Sequence, residues 1–533
     1  MMQSGSRARV SGRRLLSALM LIAVGAGLPG CTSGTDPGDK ATDPAATSSP
    51  PVAAVPATGF TRDGFYVDSA FGAIRFRTQV LRIERFPDYS VLRFKLTNLE
   101  EKQQSGLLVF GGGSLGGFGG FELVDSVNRK LYYALRAGNA SGNAFGSTDT
   151  WFQPGIPYEG FVYFPTVPTT VTRMTVLSPG SPGLFAGIPV TDGTEPPKAA
   201  TEPPVPPGPS PTLESVLPHG TIWSVSADLV GLSEDDAQST TTSATEETIG
   251  LRTDVLFAFD SATLSAKAKA VLDDVAAETR AKADPAKPPI IVTGHTDSKG
   301  EDTYNLKLSR QRADAVQREL ETRLGSGYQY RASGLGESKP IAKEGGADDE
   351  QARARNRRVE ISYQVKQTTP GTTTTTTPGA QPATSPIAPS AQFRLDDKIV
   401  TERTATIDGV GYRLKLPPTY RDGAYLVVPL EFTRDKQLAA GLWGTKFDDL
   451  RSGCVGNYTD FRAIDPATKI TQLRVQIGPR PDSTPFCLGG TGGGTRANIP
   501  VQSYVYLPAP SAGTTKITID AGPFGTIDNI PVE

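Results

Sequence analysis

Two long internal segments that cannot build a hydrophobic core constrain the fold of this chain more than any other feature. Residues 191–212 (TDGTEPPKAATEPPVPPGPSPT) and 367–391 (QTTPGTTTTTTPGAQPATSPIAPSA) consist mainly of Pro, Thr, Ser and Ala. Such segments bury too little apolar surface to offset the entropy of ordering them, so we expect linkers. A chain of 533 residues also exceeds the size of one ordinary core. The sequence therefore predicts three folded parts, over residues 59–190, 213–366 and 392–533.

The amino terminus has the pattern of an export signal. Basic residues up to Arg14 precede an apolar run of fourteen residues, Leu15–Leu28. A helix that spans a bilayer needs about 20 apolar residues, so this run suits the core of a signal peptide, here residues 1–30. The run ends in LPGC, which resembles a bacterial lipobox, and the resemblance implies that Cys31 carries a lipid. An ordinary secretory signal with an unrelated cysteine is the alternative. Residues 31–58 are again rich in Pro, Ser and Thr and predict a disordered linker.

The net charge and the cysteines restrict the class of protein. A formal net charge of −2 offers no basic face for nucleic acid, so no nucleic-acid partner is predicted. If Cys31 is lipidated, two of the three cysteines remain, Cys454 and Cys487. An even pair in an exported protein predicts one disulfide, and two buried free thiols are the alternative.

The first and last folded parts share sequence patterns. FVYFP at 161–165 returns as YVYLP at 504–508, and GLFAGIPV at 183–190 returns as GTIDNIPV at 525–532. These runs are rich in Val, Ile, Tyr and Phe, alternate apolar with polar residues, and are bounded by Gly and Pro, which is typical of half-buried strands. Both parts are therefore predicted to be β-sandwich-like, the second being a divergent repeat of the first. Neither contains a catalytic constellation.

The central part alternates apolar strands with amphipathic helices. Helical spacing of Ala268, Leu272 and Val275, and again of Ala313, Val316 and Leu320, predicts two helices, and a short helix is expected near 348–355. The predicted strands are VLFAF at 255–259, PIIVTGH at 289–295, YQYRASGLG at 328–336 and RRVEISYQV at 357–365. This order predicts βαβ crossovers and a mixed α/β sheet of the βαβαβ type.

His295 and Asp297 stand at the end of the second of these strands and invite a catalytic or metal interpretation. A hydrolase would need a nucleophile beside the histidine, and the sequence has no G-x-S-x-G motif. A zinc site needs three or four ligands, but the central part has no cysteine. The sequence therefore predicts no catalytic residue, no metal and no cofactor.

A helix face opposite Asp297 favours ligand binding. Asn305, Ser309 and Arg312 are spaced by four and three residues, which places them on one face of the helix after the strand. If that helix packs on the sheet, one carboxylate and one guanidinium line the same cleft. Such a pair can form a structural salt bridge, or it can bind a zwitterion through an ammonium and a carboxylate. The spacing alone leaves both readings open.

Four motifs, in order, resemble the OmpA-like C-terminal peptidoglycan-binding family over residues of about 250–365. They are VLFAFDSATLS, GHTDSKGEDTYNLKLSRQRA, GLGESKPIA and ARNRRVEI. The resemblance implies that Asp297 and Arg312 hold the free amino acid end of diaminopimelate in the peptidoglycan stem peptide. It also implies that Asn305 and one arginine of the NRR motif, Arg358 or its neighbour Arg357, lie near the ligand. The expected architecture is then a central OmpA-like domain flanked by two β-sandwich-like domains.

These observations lead to one expected function and its alternatives. The expectation is a non-enzymatic envelope lipoprotein that binds peptidoglycan and links membrane to cell wall. Its lipid would lie in the outer face of the cytoplasmic membrane or in the outer membrane. The alternative is an envelope receptor or assembly protein whose β-domains bind a protein or another ligand, with wall binding only for localisation. A flagellar-type motor stator shares the wall-binding module but requires a transmembrane helix, which the sequence does not predict.

Overall fold

The computed structural model describes residues 59–68, 72–105, 110, 117–148, 151–197, 215–287, 289–346, 349–366, 387–395, 398–407, 409–436, 461–478, 486–490 and 497–533. The expected signal peptide, Cys31, its following linker and Cys454 lie outside these residues. The two expected internal linkers fall largely outside them as well. Within these ranges, no helix combines the length and the apolar character that crossing a membrane requires.

The amino-terminal part consists of strands. Their bounds are β1 (Phe60–Asp68), β2 (Gly72–Arg85), β3 (Ser90–Asn98), β4 (Gln104–Ser105), β5 (Glu122–Asp125), β6 (Lys130–Tyr133), β7 (Arg136–Ala137), β8 (Gly146–Ser147), β9 (Trp151–Phe152), β10 (Pro157–Phe164), β11 (Arg173–Leu177) and β12 (Leu184–Asp192). One antiparallel sheet has the order β1-β2-β3-β10 and the other the order β6-β5-β11-β12. Aromatic and aliphatic side chains that alternate along these strands fill the space between the sheets.

The central part contains both helices and strands. Its elements are β13 (Ser215–Val216), β14 (Ile222–Trp223), β15 (Ser226–Glu234), β16 (Gln238–Thr242), β17 (Glu246–Arg252), α1 (Thr253–Leu256), α2 (Ala266–Lys282), β18 (Ile290–Gly294), α3 (Asp302–Leu324), β19 (Tyr330–Gly334), α4 (Asp349–Asn356) and β20 (Arg358–Gln364). The sheet runs β19-β18-β20-β17-β16-β15, with β18 and β19 parallel and the other neighbours antiparallel. Helices α2 and α3 cover one face, where the predicted core residues Ala268, Leu272, Val275, Ala313, Val316 and Leu320 are buried.

The carboxy-terminal part returns to strands. They are β21 (Thr401–Ile407), β22 (Val410–Leu416), β23 (Tyr420–Asp422), β24 (Tyr425–Arg434), β25 (Phe461–Ile464), β26 (Thr471–Gln472), β27 (Gln476–Ile477), β28 (Phe486–Cys487), β29 (Val501–Pro508), β30 (Lys516–Ala521) and β31 (Thr526–Pro531). The sheets run β21-β22-β24-β29 and β26-β25-β30-β31. This is the strand order of the amino-terminal part, element for element.

The turns β5–β6 and β25–β26 are also built alike. Asp125 accepts a hydrogen bond from the amide of Asn128, and Asp465 accepts one from the amide of Ala467. Each turn ends in a basic residue with positive φ, Arg129 at 55° and Lys469 at 62°. The chain is therefore multidomain and sheet-rich, with two β-sandwich-like parts of matching topology.

One segment differs from the sequence expectation. Residues 255–259 do not form a strand: the helical turn α1 ends at Leu256, and Phe259 is fully exposed. The place next to β20 in the sheet is taken instead by β17, the last strand of a hairpin of Ser- and Thr-rich sequence. Phe257 keeps only an isolated bridge to Leu264. Because β17 occupies this edge of β20, the VLFAF run does not pair there.

Strand β15 joins the three parts. Its residues 226–228 pair with β6, its residues 229–230 with β27, and Ser233 and Glu234 with β26, while its last four residues also pair with β16. A shared hydrophobic cluster surrounds it and draws on both β-rich parts. Its members include Val124, Leu131, Leu177, Leu229, Tyr425, Val427 and Tyr506.

Candidate functional site

Asp297 lies just beyond the end of β18, where backbone hydrogen bonds fix the chain. The amide of His295 donates to the carbonyl of Arg358 at 2.9 Å, and the amide of Thr296 donates to the carbonyl of Gly336 at 2.9 Å. Asp297 is 9% exposed. One carboxylate oxygen accepts from the amide of Lys299 at 3.2 Å, which closes a tight turn.

The other oxygen of Asp297 pairs with Arg357. The Nη1–Oδ2 distance is 2.7 Å. Arg357 also donates to Asp254 at 2.8 Å and to Glu350 at 3.0 Å. The pKa of Arg357 is raised, mainly because it donates hydrogen bonds to Asp254 and also to Asp297 and Glu350. A network of three acids and one arginine therefore borders the strand end.

Arg312 projects from α3 and is 6% exposed. Its Nε donates to the carbonyl of Ser261 at 3.0 Å, and its guanidinium lies 5.5 Å from the ring centroid of Phe257. Burial lowers the pKa of Arg312, and nearby Arg357 lowers it further against the opposing effect of Asp254 and other acids. In the described part of the chain, no carboxylate lies within ion-pair distance of this guanidinium, and its two Nη groups have no hydrogen-bond acceptor.

This arrangement changes the balance between the two readings of Asp297 and Arg312. A structural salt bridge joins Asp297 to Arg357 and not to Arg312. Arg312 is desolvated, held on two sides, and left with unused donors. The two predicted residues adjoin the same segment, 254–261: Arg357, which pairs with Asp297, also binds Asp254, and Arg312 contacts Phe257 and Ser261.

Asn305 and Ser309 hold the loops around the site. The side-chain Nδ2 of Asn305 donates to the carbonyl of Lys299 at 3.0 Å and to the carboxylate of Glu337 at 2.8 Å. The hydroxyl of Ser309 accepts from the amide of Gly336 at 3.0 Å. Asn305 is 3% exposed, so it positions the loop that carries Asp297.

Arg358 lies on the other face of the sheet. Strand side chains alternate between faces, and Val359, Ile361 and Tyr363 point into the helix-covered core. Arg358 therefore shares the opposite face with Glu360, to which it donates at 2.7 Å. Its remaining donors reach the carbonyls of Asn356 and Lys339. Of the two arginines of the NRR motif, it is Arg357 that the structure places at Asp297.

His295 is also on this opposite face, with its Nε2 3.3 Å from Glu360, a distance that permits an ion pair without hydrogen-bond geometry. Burial alone would raise the pKa of Glu360, but His295 and Arg358 outweigh it and lower this pKa to about 2. The histidine that first suggested catalysis is thus 2% exposed, and it packs against a structural carboxylate.

Three residues of the site were not predicted from the sequence. Phe257 and Ser261 support Arg312, and Asp254 binds Arg357. Phe257 lies in the run 255–259 that was expected to be a strand, and Asp254 and Ser261 lie just outside that run. The family motif VLFAFDSATLS at 255–265, which contains Phe257 and Ser261, was the sequence signal for this loop. Across the described ranges, no group of three His, Cys, Asp or Glu side chains is arranged to hold a metal ion.

Comparison with known proteins places the central part in a family. The sequence model of the OmpA family matches residues 256–357. Outer membrane protein A of Bordetella avium is 40% identical over 108 residues, which are 20% of this chain and 53% of that protein. A peptidoglycan-associated lipoprotein of Pseudomonas putida is 36% identical over 105 residues, 20% of this chain and 59% of that protein.

A third similar protein is unlike the other two. The photosystem I P700 chlorophyll a apoprotein A2 of Gloeobacter violaceus is 47% identical over 76 residues, 14% of this chain and 9% of that protein. The chain thus spans less than two thirds of the length of each of these three relatives. The family match covers the three elements that carry the site, namely the end of β18, helix α3 and the short helix α4. Residues 256–357 of this chain are therefore a domain of the OmpA family.

Proposed function

We propose that this chain binds peptidoglycan without chemical change, through the free amino acid end of diaminopimelate in the stem peptide. Asp297 and Arg312 would contact the ligand, and Arg357 would take the place considered for Arg358. Asn305 would position the loop of Asp297. The observation that carries the proposal is the state of Arg312, a buried guanidinium with unused donors inside a domain of the OmpA family.

The electrostatics of Arg312 favour an anionic ligand group. A desolvated cation without a counter-ion is unfavourable, and a carboxylate that enters the site removes that cost. The contact with the ring of Phe257 and the hydrogen bond to the carbonyl of Ser261 hold the guanidinium in place. Its two Nη groups can then form the paired hydrogen bonds by which arginine recognises a carboxylate.

The acids of the site favour an ammonium group beside that carboxylate. Asp297 and Asp254 are shared with Arg357, while Asp260 accepts from the hydroxyl of Tyr304. Each carboxylate has further lone pairs to offer. Two arginines among three aspartates suit a ligand that carries both charges at one end. A simple anion would meet repulsion from these acids, and a simple cation would meet the arginines.

The test is co-sedimentation of the full mature chain with purified peptidoglycan sacculi. Asp297→Ala and Arg312→Ala should each abolish most of the binding. Truncating one partner of a desolvated charged contact costs about 2–5 kcal/mol. A micromolar to millimolar affinity corresponds to roughly 4–8 kcal/mol in total, so little binding would remain.

Arg310→Ala is the matched control for this experiment. Arg310 lies on the same helix and is half exposed, and its one ion-pair partner among the described residues is Asp314, one turn away at 3.0 Å. It should bind sacculi as the parent does. Thermal melts of all variants establish that they are folded. Undiminished binding by folded Asp297→Ala and Arg312→Ala proteins would place the ligand elsewhere.

A lipid at Cys31 would make this wall-binding protein a tether within the cell envelope. The lipobox-like LPGC sequence and the linker at 31–58 support this part of the proposal. An extended linker gains roughly 3.1 Å per residue, enough to reach well beyond the membrane surface. The pairing of Cys454 with Cys487, which fits an exported protein, stays a prediction.

Cys31→Ser should move the protein from the membrane fraction to the soluble fraction. The hydroxyl of serine cannot form the thioether to lipid that a lipobox cysteine carries. Fractionation and intact mass of parent and variant, each expressed in a bacterial host that lipidates proteins, measure the effect. Identical fractionation and a parent mass without lipid would rule out the anchor while leaving wall binding untouched.

A further inference from the structure

The turn between β15 and β16, residues 234–238, is held by several hydrogen bonds, and we name it the brace. Asp235 accepts hydrogen bonds from the amides of Ala237 and Gln238 at 2.7 and 2.8 Å. The amide of Arg252 donates to the carbonyl of Ala237 at 2.9 Å, and the Arg252 side chain donates to the carbonyl of Asp235 at 3.3 Å. The brace is therefore fixed internally and to the end of β17.

The brace contacts helix α4 through an ion pair. Both carboxylate oxygens of Glu234 accept from Nη2 of Arg355, at 2.6 and 2.7 Å. Arg355 lies two residues before Arg357, whose amide continues the helical pattern by donating to the carbonyl of Arg353 at 2.9 Å. Holding Arg355 therefore restrains the end of α4 from which Arg357 reaches Asp297.

The brace also supports the other side of Arg357. Arg252, which it holds, is followed directly by α1, and α1 carries Asp254, the second carboxylate bound by Arg357. The amide of Thr253 donates to the carbonyl of Arg357 at 2.9 Å, which joins the two segments. Both elements that fix the Arg357 guanidinium thus rest on the same turn.

The carboxy-terminal β-rich part holds the brace in turn. Ser233 and Glu234 of β15 pair with Gln472 and Thr471 of β26 in an antiparallel ladder. Glu234 thus belongs at once to a backbone ladder with that part and to a side-chain pair with α4. No other described residue combines these two contacts.

We infer that the brace is a positioning element of the wall site, through which the carboxy-terminal part keeps Arg357 against Asp297. The inference rests on the proposed function, since it assigns a task within that same site. It gives the β-rich part a role that needs no ligand of its own. Glu234 and Arg355 are positioning residues and do not touch the ligand.

Binding of a diaminopimelate-containing muropeptide to the full chain, measured by calorimetry, tests the inference. Glu234→Gln and Arg355→Gln should each weaken binding about two- to fivefold, the range expected when a partly exposed ion pair is lost. The double variant should be no weaker than either single one, because both break the same contact. Asp236→Asn is the matched control, since Asp236 lies in the same turn and is exposed.

A second background separates positioning from general weakening of the fold. In an Arg357→Lys protein, Glu234→Gln should have no further effect, because the group it positions is already changed. If Glu234→Gln decreased the affinity by the same factor in both backgrounds, the inference would be overturned. Unchanged affinity of the folded single variants would also overturn it. In the latter case the proposed function would stand, because the parent protein still binds.

Hydrogen exchange of the unliganded full chain provides a readout that needs no ligand. Glu234→Gln should increase amide exchange in residues 349–357, whereas Asp236→Asn should not. If the parent protein failed to bind the muropeptide, the proposed function would be wrong. This exchange result would still show whether the brace restrains residues 349–357. Unchanged exchange of that segment in Glu234→Gln would overturn the brace on its own.

Discussion

At the residue scale, two consecutive arginines at the start of β20 lie on opposite sides of the sheet. Arg357 just precedes the strand and reaches the helix side, where it meets Asp297. Arg358 and Glu360 point to the opposite side, where Glu360 lies against His295. One position along the chain therefore decides whether an arginine pairs with Asp297 or with Glu360.

Glu360→Gln should lower the free energy of unfolding at neutral pH by about 1–3 kcal/mol. The pKa of this carboxyl falls from its usual 4.5 to about 2 in the folded state. A depressed pKa stabilises the fold above pH 4.5, and this stabilisation is lost as the pH falls towards 2. Urea unfolding of parent and variant at several pH values measures the difference, which should shrink below pH 4.5.

Glu246→Gln is the control for that experiment, because it changes an exposed carboxylate on the neighbouring strand. It should leave stability nearly unchanged. A constant difference between parent and Glu360→Gln from pH 7 down to pH 2 would contradict the ion-pair origin of the effect.

At the element scale, a buried carboxylate joins strands of the two β-rich parts. Asp422 at the end of β23 is fully buried. It accepts hydrogen bonds from Ser126 at 2.7 Å, Thr175 at 2.9 Å, the amide of Ala391 at 2.9 Å and Tyr506 at 3.1 Å. Two of these donors belong to the amino-terminal part and two to the carboxy-terminal side. A single side chain thus satisfies donors from four separate segments.

Asp422→Ala should reduce the free energy of unfolding by about 3–5 kcal/mol, because it leaves several buried donors without an acceptor. Asp422→Asn should cost less, since its amide oxygen still accepts some of these hydrogen bonds. Chemical denaturation measures both. Asp528→Ala, which removes an exposed carboxylate bonded to Thr518 at 2.7 Å, is the control and should have a small effect. Equal stability of Asp422→Ala and the parent would show that this interface does not depend on Asp422.

At the scale of the whole molecule, the three parts pack as one body over the described residues of 59–533. Strand β15 pairs with both β-rich parts, and residues 387–395 lie against the first of them. There, Phe393 packs against Phe60 with ring centroids 5.4 Å apart, and the carbonyl of Arg394 accepts from Arg62 at 2.6 Å. The three parts are therefore held together by non-covalent contacts as well as by the continuous polypeptide chain.

Cutting the chain between residues 367 and 386 should leave both fragments associated. Cleavage at a protease site inserted there would break the covalent link between the OmpA-family domain and the carboxy-terminal part. The ladder at β26 and the packing of Phe393 would remain. Size-exclusion chromatography after cleavage should give one peak with both fragments. An uncut protein with the same insertion is the control, and separate elution of the fragments would contradict the shared packing.

Some of this architecture follows from the sequence alone. The helical spacing of Ala313, Val316 and Leu320 depends only on neighbouring residues, so α3 and its buried face were predictable. The same holds for β18 and for Asp297 at its end. The hairpin of β15 to β17 was not, because strands such as QSTTT lack the apolar alternation that marks a half-buried strand.

The sequence by itself determined the central domain, its strand-end aspartate and its helix-face arginine, because local periodicity and ordered motifs specify these features. Only the tertiary structure decided that Asp297 pairs with Arg357, that Arg312 rests on Phe257, and that Asp422 is buried. Each of these contacts joins residues far apart in the chain. Their energies depend on burial and on which face of the sheet each strand residue occupies. Neither is fixed until the sheets have packed.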